Sequence, residues 1–284
     1  MMASTIDLHM HTTVSDGTDS PAEILARVKA VGMTHFAVTD HDAVEGCAAI
    51  LGLLQPGDPT FFCGAEFSCE DEEGKYHVLG YGYDMQAPSI LSLVKSCHDY
   101  RMNKVTGRLD WLAKEHGITF RQEDVDALLA MPNPGKPHFA NMMVQYGYAG
   151  KDEAFELLGH YKAKEERIRP EVAIRAILGA GGIPVLAHPA YGSGDELIIG
   201  EEMEERLTRL MGYGLKGIEA FYSGFSRALQ DGLLALADRY GLYVTAGSDY
   251  HGTNKLVQLG DTNLDQAEAI PPGLQRFLQD VTKR

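Results

Sequence analysis

Short apolar runs rich in β-branched and aromatic residues recur at Thr5–Leu8, His35–Thr39, Thr60–Phe67, Tyr76–Tyr83, Ile183–Ala187, Gly217–Phe221 and Leu242–Ala246. Runs of this length and composition predict strands. Between several of them the apolar spacing becomes helical. Ser20-Pro21-Ala22-Glu23 reads as a capping box with Pro at the first helical position, opening a helix that closes near Gly32. Further helices are expected over Ala43–Leu54, over Pro170–Leu178 with Gly181-Gly182 behind it, over Glu201–Met211, and over Ser226–Tyr240 ended by Gly241. Strands alternating with helices imply a mostly parallel α/β architecture. From about Ser89 to Arg169 the pattern is helical throughout. This predicts a helical subdomain, residues 89–169, inserted into a barrel made of residues 1–88 and 170–284. Inside it, the stretch Met131–His138 (MPNPGKPH) is too rich in Pro and Gly for helix interior and predicts a loop.

Composition narrows the class. A chain of 284 residues can fill one barrel core with an insertion, and 44% apolar with 23% charged residues is ordinary for a folded globular protein. The first residues, MMASTIDLHMHTT, lack the basic and apolar regions of a signal peptide, and no run approaches the ~18 apolar residues of a membrane span. The expectation is a cytoplasmic protein with no membrane partner. Cys47, Cys63, Cys69 and Cys97 form no CxxC pair and read as buried free thiols. A formal charge of −15 disfavours long duplex nucleic acid, so an anionic substrate should be small or short, with bound cations supplying positive potential.

Candidate chemistry sits at the strand ends. His9 and His11, two residues apart, are aimed to one side by strand geometry and can share a metal. Asp16 follows in Ser15-Asp16-Gly17, where a turn aspartate is an equal reading. In Thr39-Asp40-His41-Asp42, one aspartate is expected to cap the next helix, while His41 flanked by two carboxylates also fits a ligand with supporting partners. Glu66 ends an apolar run and needs a cation there. His77 opens the next run, His188 follows another in Ala187-His188-Pro189, and Asp249 and His251 repeat the i, i+2 spacing. Functional groups of parallel α/β folds gather at the C-terminal ends of strands, so these segments can converge. Imidazole and carboxylate without thiolate suit manganese, iron(II), zinc or cobalt. The number of ligands implies two or three ions, with Glu66 able to bridge, acidifying a water and clamping a phosphate for in-line hydrolysis.

The segments DLHMHT, TDHD, GAE, YHVLGYG, LAHP and GSDYH, in this order and over nearly the whole chain, resemble the motifs of the polymerase-and-histidinol-phosphatase (PHP) superfamily. Within it the chain looks like the standalone branch of 3',5'-nucleoside bisphosphate phosphatases and short-RNA 5'-to-3' exonucleases. The resemblance implies a distorted seven-stranded β/α barrel with a helical insertion. It also implies one metal on His9, His11, Glu66 and Asp249, a second on Glu66, His77 and His188, and a third on Asp16, His41 and His251. It places Arg101, Asn103 and Lys104, with Lys136 and His138, over the substrate; Lys136 stands where relatives usually carry Arg, and His138 could instead substitute for His188 as a ligand. The implied activity is manganese-dependent removal of the 3'-phosphate from nucleoside 3',5'-bisphosphates by a metal-bound hydroxide. Alternatives are a 5'-end exonuclease on short single-stranded RNA, a phosphatase for another small ester such as histidinol phosphate, an amide hydrolase, and a noncatalytic metal-binding module.

Overall fold

The computed structural model describes residues 5–131, 134–163, 167–191, 197–267 and 269–283. All seven expected strands form: β1 Ile6–Asp7, β2 His35–Val38, β3 Thr60–Asp71, β4 Gly74–Tyr81, β5 Ile183–Leu186, β6 Gly217–Tyr222 and β7 Tyr243–Gly247. They lie side by side in chain order. The sheet then closes on itself, because Leu8 N–H donates to the Ala246 carbonyl, Asp249 N–H to that of His9, and His11 N–H to that of Tyr250, each at 2.8 Å. The result is a seven-stranded α/β barrel.

One strand runs against the rest. β1, β2 and β3 are parallel, as are β5, β6 and β7, but β4 is antiparallel to both its neighbours. The cause is local: Asp71-Glu72-Glu73-Gly74 is a tight turn with Gly74 at φ +143°, which folds β4 straight back along β3. No helix separates the two strands, so no crossover can make them parallel. The start of β4 therefore lies where the other strands end, and His77 reaches the same mouth from the opposite direction.

The helices pack around this barrel. In α1 (Pro21–Ala30), Ser20 Oγ accepts the Glu23 N–H while Glu23 accepts the Ser20 N–H at 2.7 Å, and Ile24, Leu25 and Val28 are buried. α2 (Glu45–Leu53), α7 (Pro170–Gly179), α8 (Gly200–Tyr213) and α9 (Arg227–Tyr240) follow the expected segments. The expected aspartate cap on α2 is absent: Val44 occupies the N-cap without a side-chain bond, and Asp40 and Asp42 are used elsewhere. A helix not anticipated from the pattern, α10 (Pro272–Val281), buries Leu274, Phe277 and Val281. Its Phe277 ring meets Tyr81 edge-on at 5.1 Å, closing the end of the core remote from the chain's His-rich segments.

Between β4 and α7 the described residues form α3 (Pro88–His116), α4 (Gln122–Leu129), α5 (Lys136–Gln145) and α6 (Lys151–Gly159). Helix α3 serves two cores. Its first half buries Ile90, Leu93 and Cys97 against the barrel; its second half buries Val105 and Leu112 in a separate cluster with Leu128, Phe139, Met143 and Leu158. The Met131–His138 segment is not all loop. Lys136, Pro137 and His138 make the first turn of α5, a position proline favours because the missing N–H has no partner to lose. Pro132 and Asn133 lie outside the described residues.

Candidate metal centre

The barrel mouth gathers the expected side chains around Glu66. β3 carries this carboxylate into the interior, and Glu66 Oε2 stands 3.3 Å from His9 Nε2, 3.2 Å from His11 Nε2 and 3.1 Å from His41 Nδ1. Its other oxygen is 2.8 Å from His77 Nδ1 and 3.2 Å from His188 Nε2, and those two nitrogens are 3.2 Å apart. Asp249 Oδ1 completes the first group at 3.6 Å from His9 and 3.3 Å from His11. A third group forms beside it, with Asp16 at 3.2 Å from His251 and 4.0 Å from His41. The structure thus brings together all nine of His9, His11, Asp16, His41, Glu66, His77, His188, Asp249 and His251.

Divalent cations fit this cluster. His9 Nε2, His11 Nε2 and Glu66 Oε2 are buried and make no hydrogen bond among the described residues. Buried polar atoms left so are costly unless something else binds them. The separations of Glu66 Oε2 from the two nitrogens, 3.3 and 3.2 Å, are those expected of donors sitting about 2.0–2.2 Å from a shared ion. Electrostatics agree. Burial works against ionising Glu66, Asp16 and Asp249, yet the surrounding imidazoles, and for Asp249 also Lys255, hold all three well below the usual carboxylate range. Burial likewise opposes protonating His11, but Asp249 and Glu66 lift it to about 9. The pocket calls for positive charge, and bound metal would take the place of those protons.

The backbone is shaped to hold these groups. Asp42, His188 and Asp249 adopt positive φ angles of 54°, 27° and 58°, a conformation costly for residues with a Cβ and concentrated here at the mouth. Asp40 is buried and accepts from Thr12 N–H and Thr12 Oγ1, both at 2.8 Å, and from Ser15 Oγ at 2.7 Å. It pins the loop after β1 rather than capping α2. Asp7 does similar work, accepting from Ser248 N–H at 3.0 Å and Gly260 N–H at 2.8 Å. Glu219, within β6, was not singled out by the motifs. It is fully buried, bonds His9 Nδ1 at 3.0 Å, and accepts the His188 N–H at 2.8 Å. That bond fixes the His9 tautomer and leaves Nε2 facing Glu66. The sequence signal was an acid inside an apolar strand. Gly247 lies so close that a Cβ there would come within 2.2 Å of His9 Cβ and 2.3 Å of Glu219.

Comparison with known proteins bears on this site. A PHP-domain family profile matches residues 7–165, more than half of the chain. The chain belongs to the PHP family. Among curated relatives it is 29% identical to a 5'-3' exoribonuclease of Haemophilus influenzae, covering 97% of this chain and all of the relative. It is 29% identical to a 3',5'-nucleoside bisphosphate phosphatase of Chromobacterium violaceum (98% and 97% covered), and 30% identical to a phosphoribosyl 1,2-cyclic phosphate 1,2-diphosphodiesterase of Eggerthella lenta (87% and 94%). A solved structure of a Chromobacterium violaceum amidohydrolase with bound sulfate superposes with a TM-score of 0.82 at 28% identity, over 98% of this chain and 97% of that one. This protein is therefore a PHP-type metal-dependent phosphoesterase. The profile match spans the candidate ligands His9 to His77, while His188, Asp249 and His251 lie beyond it.

Against the PHP centre lies a cavity of about 240 Å3. Asp16, His41 and His77 line one side, and Arg101, Lys104, Arg108, Lys136 and Arg167 are among the residues that line the remainder, with Asp42 and Tyr100. Positive charge is thus gathered locally here although the chain as a whole is acidic. Arg101 is ion-paired with Asp42, which also accepts the Ser68 N–H at 3.0 Å. Burial, followed by the charges of Arg167, Arg108, Arg101 and Lys75, pushes Lys104 down to about 7. Not every expected contact faces this cavity. Asn103 is exposed and lines another hollow with Trp111 and Lys114, because it lies about 200° round the helix from Arg101. His138 accepts the Gly135 N–H on Nδ1 at 2.9 Å, completing the first turn of α5. Arg108 and Arg167 were missed by the motifs, although Arg101, Lys104 and Arg108 share one helix face at i, i+3 and i+7.

Proposed function

We propose that the protein is a cytoplasmic phosphatase that removes the 3'-phosphate from nucleoside 3',5'-bisphosphates, using two or three divalent ions, with manganese first among the candidates. The observation that carries this reading is the direct contact between the carboxylate–imidazole centre and a cavity walled by five basic side chains. Such a pairing suits a substrate with one phosphate to be cleaved and another to be gripped. In this reading His9, His11, Glu66 and Asp249 hold one ion, Glu66, His77 and His188 a second, and Asp16, His41 and His251 a third.

Ions bound there supply Lewis acidity to the phosphate oxygens and make water acidic enough to attack near neutral pH. The protein's own contribution is positional. Glu219 orients His9, and Tyr222 and Lys255 hold the outer oxygen of Asp249 so that Oδ1 faces inward. Lys104, Lys136, Arg108 and Arg167 neutralise and orient the phosphate that is not cleaved. Arg101, held by Asp42 beside His41, sits between the two halves. Burial of the cluster keeps its electrostatic interactions strong.

A second reading, 5'-end exonuclease activity on short RNA, is favoured by one feature. A larger hollow of about 710 Å3 shares Tyr100, Lys104 and Arg167 with the first cavity and adds Tyr161, Lys162 and Arg169, while its acidic members Glu70, Asp71 and Glu72 are each ion-paired with an arginine. Rings and cations together suit further nucleotides. The deciding experiment measures phosphate released from adenosine 3',5'-bisphosphate against nucleotides released from a short 5'-phosphorylated RNA, both with added manganese. Faster turnover of the bisphosphate is expected. Nucleotide release from RNA with none from the bisphosphate contradicts the first reading.

A further inference from the structure

We propose that Arg108 is the residue that makes this phosphoesterase demand a second, terminal phosphate on its substrate. Its position is anomalous for a structural residue. Along the second half of α3 the buried positions Val105, Arg108 and Leu112 follow i, i+3, i+7, so Arg108 occupies a place where the pattern calls for an apolar side chain. It is 4% exposed, and its Nε is buried without a hydrogen-bond partner. Among the described residues no carboxylate pairs with it. A buried guanidinium without a counter-charge is strongly unfavourable and waits for an anion.

The surroundings hold it ready. The guanidinium carbon lies 5.3 Å from the centre of the Phe139 ring and 5.3 Å from that of Tyr161, close enough for both rings to hold it by cation–π attraction. Gly107 permits this packing, since a Cβ there would come within 2.2 Å of the Tyr161 hydroxyl. Arg108 lines the cavity with Lys104 and Lys136, and among the described residues the acidic groups lining it are Asp42, already paired with Arg101, and Asp16, which belongs to the metal centre. Several unpaired cations around one small space suit a dianionic phosphomonoester better than a singly charged diester. Arg108 also lies two helical turns, about 10 Å, beyond Arg101 along α3. A phosphate on Arg108 and another at the Glu66 centre are thus two well-separated groups of one molecule. Arg167 reaches the same cavity from the chain before α7, hydrogen-bonding the Tyr100 hydroxyl at 3.4 Å.

This rests on the bisphosphate reading, so the test combines turnover with binding. Metal-loaded wild type and Arg108→Met are compared on adenosine 3',5'-bisphosphate and on adenosine 3'-monophosphate, and their affinities for adenosine 5'-monophosphate and adenosine are measured by calorimetry. The expected result is a loss of about 30-fold in kcat/KM for the bisphosphate, mainly in KM, with the 3'-monophosphate changed by less than about threefold and metal content unaltered. Affinity for adenosine 5'-monophosphate should fall similarly while that for adenosine stays the same. Equal losses on both substrates, or unchanged 5'-monophosphate affinity, overturn the proposal. If Arg108→Met does not fold, Arg108→Lys decides: a folded lysine variant should bind the 5'-monophosphate about 3- to 10-fold more weakly, because it keeps charge without the fork, and wild-type affinity overturns the assignment. Wild type that binds the 5'-monophosphate through Arg108 but hydrolyses no bisphosphate breaks the reading of the reaction and leaves this one standing.

Discussion

The mouth of the barrel and the helical insertion both hold charge away from water, and they do it by opposite means. At the mouth, buried carboxylates and imidazoles face one another from the ends of short strands, and each position is fixed by backbone pairing, positive φ angles and buried supports such as Glu219, Asp40 and Asp7. In the insertion, like charges gather along one face of α3, and what keeps them in place is a small core of Leu112, Phe139, Met143 and their neighbours. The first arrangement is short of cations and the second is short of anions. A phosphate ester in contact with metal on one side and with arginine and lysine on the other answers both deficits. In the proposed reading, reaction chemistry belongs to the barrel mouth, and choice of substrate to the part with its own lesser core.

The largest effect should come from the centre of the first region. Glu66→Gln removes the charge that faces five imidazoles, so phosphate release should fall on the order of a thousandfold and bound metal should drop with it. Steady-state assays with elemental analysis check this, and unaltered metal content would separate the mouth from its assigned role. Next, Glu219→Gln keeps the shape but weakens the hold on His9. Metal affinity or activity should fall about 10- to 100-fold, measured by titration with a metal-sensitive dye.

The two regions differ in how much of them is legible in the sequence, for a physical reason. Most of the nine residues at the mouth lie at strand ends in short motifs, where period-two geometry tells that His9 and His11, or Asp249 and His251, point together, while Asp16 and His77 stand out only through the family resemblance. All nine converge, and the seven strands lie where the apolar runs put them. Three things were hidden. The reversal of β4 depends on a two-residue turn whose neighbours look like any other strand. Asp40 and Asp42 carry the chemistry of helix caps but are drawn to Thr12, Ser15 and Arg101, partners distant in sequence. Glu219 looked like part of an apolar strand. In the insertion, family likeness pointed to Asn103, which faces away, while helical spacing points to Arg108.

Loosening the insertion alone should leave the barrel as it is. Leu112 is fully buried in the separate core, so Leu112→Ala should cost about 2–5 kcal/mol there. Hydrogen exchange should rise in α4–α6 and KM about tenfold, while the barrel strands stay protected and metal content holds. Equal loosening of the barrel would mean that the two regions are one cooperative unit. The smallest effect concerns pH. Lys104 is driven down to about 7 by burial and by Arg167, Arg108, Arg101 and Lys75. It is charged below that pH and neutral above it. The phosphate of a nucleotide is already fully ionised there, having a second pKa near 6. Affinity for adenosine 5'-monophosphate should therefore fall about fivefold from pH 7 to 9, and Lys104→Arg should flatten the slope.

The most direct test of the account is to locate the ions. Crystals loaded with manganese should show anomalous scattering at the mouth, with one peak touching His9, His11, Glu66 and Asp249 and another touching Glu66, His77 and His188. Manganese found only on the protein surface, with Glu66 left uncoordinated, would contradict it.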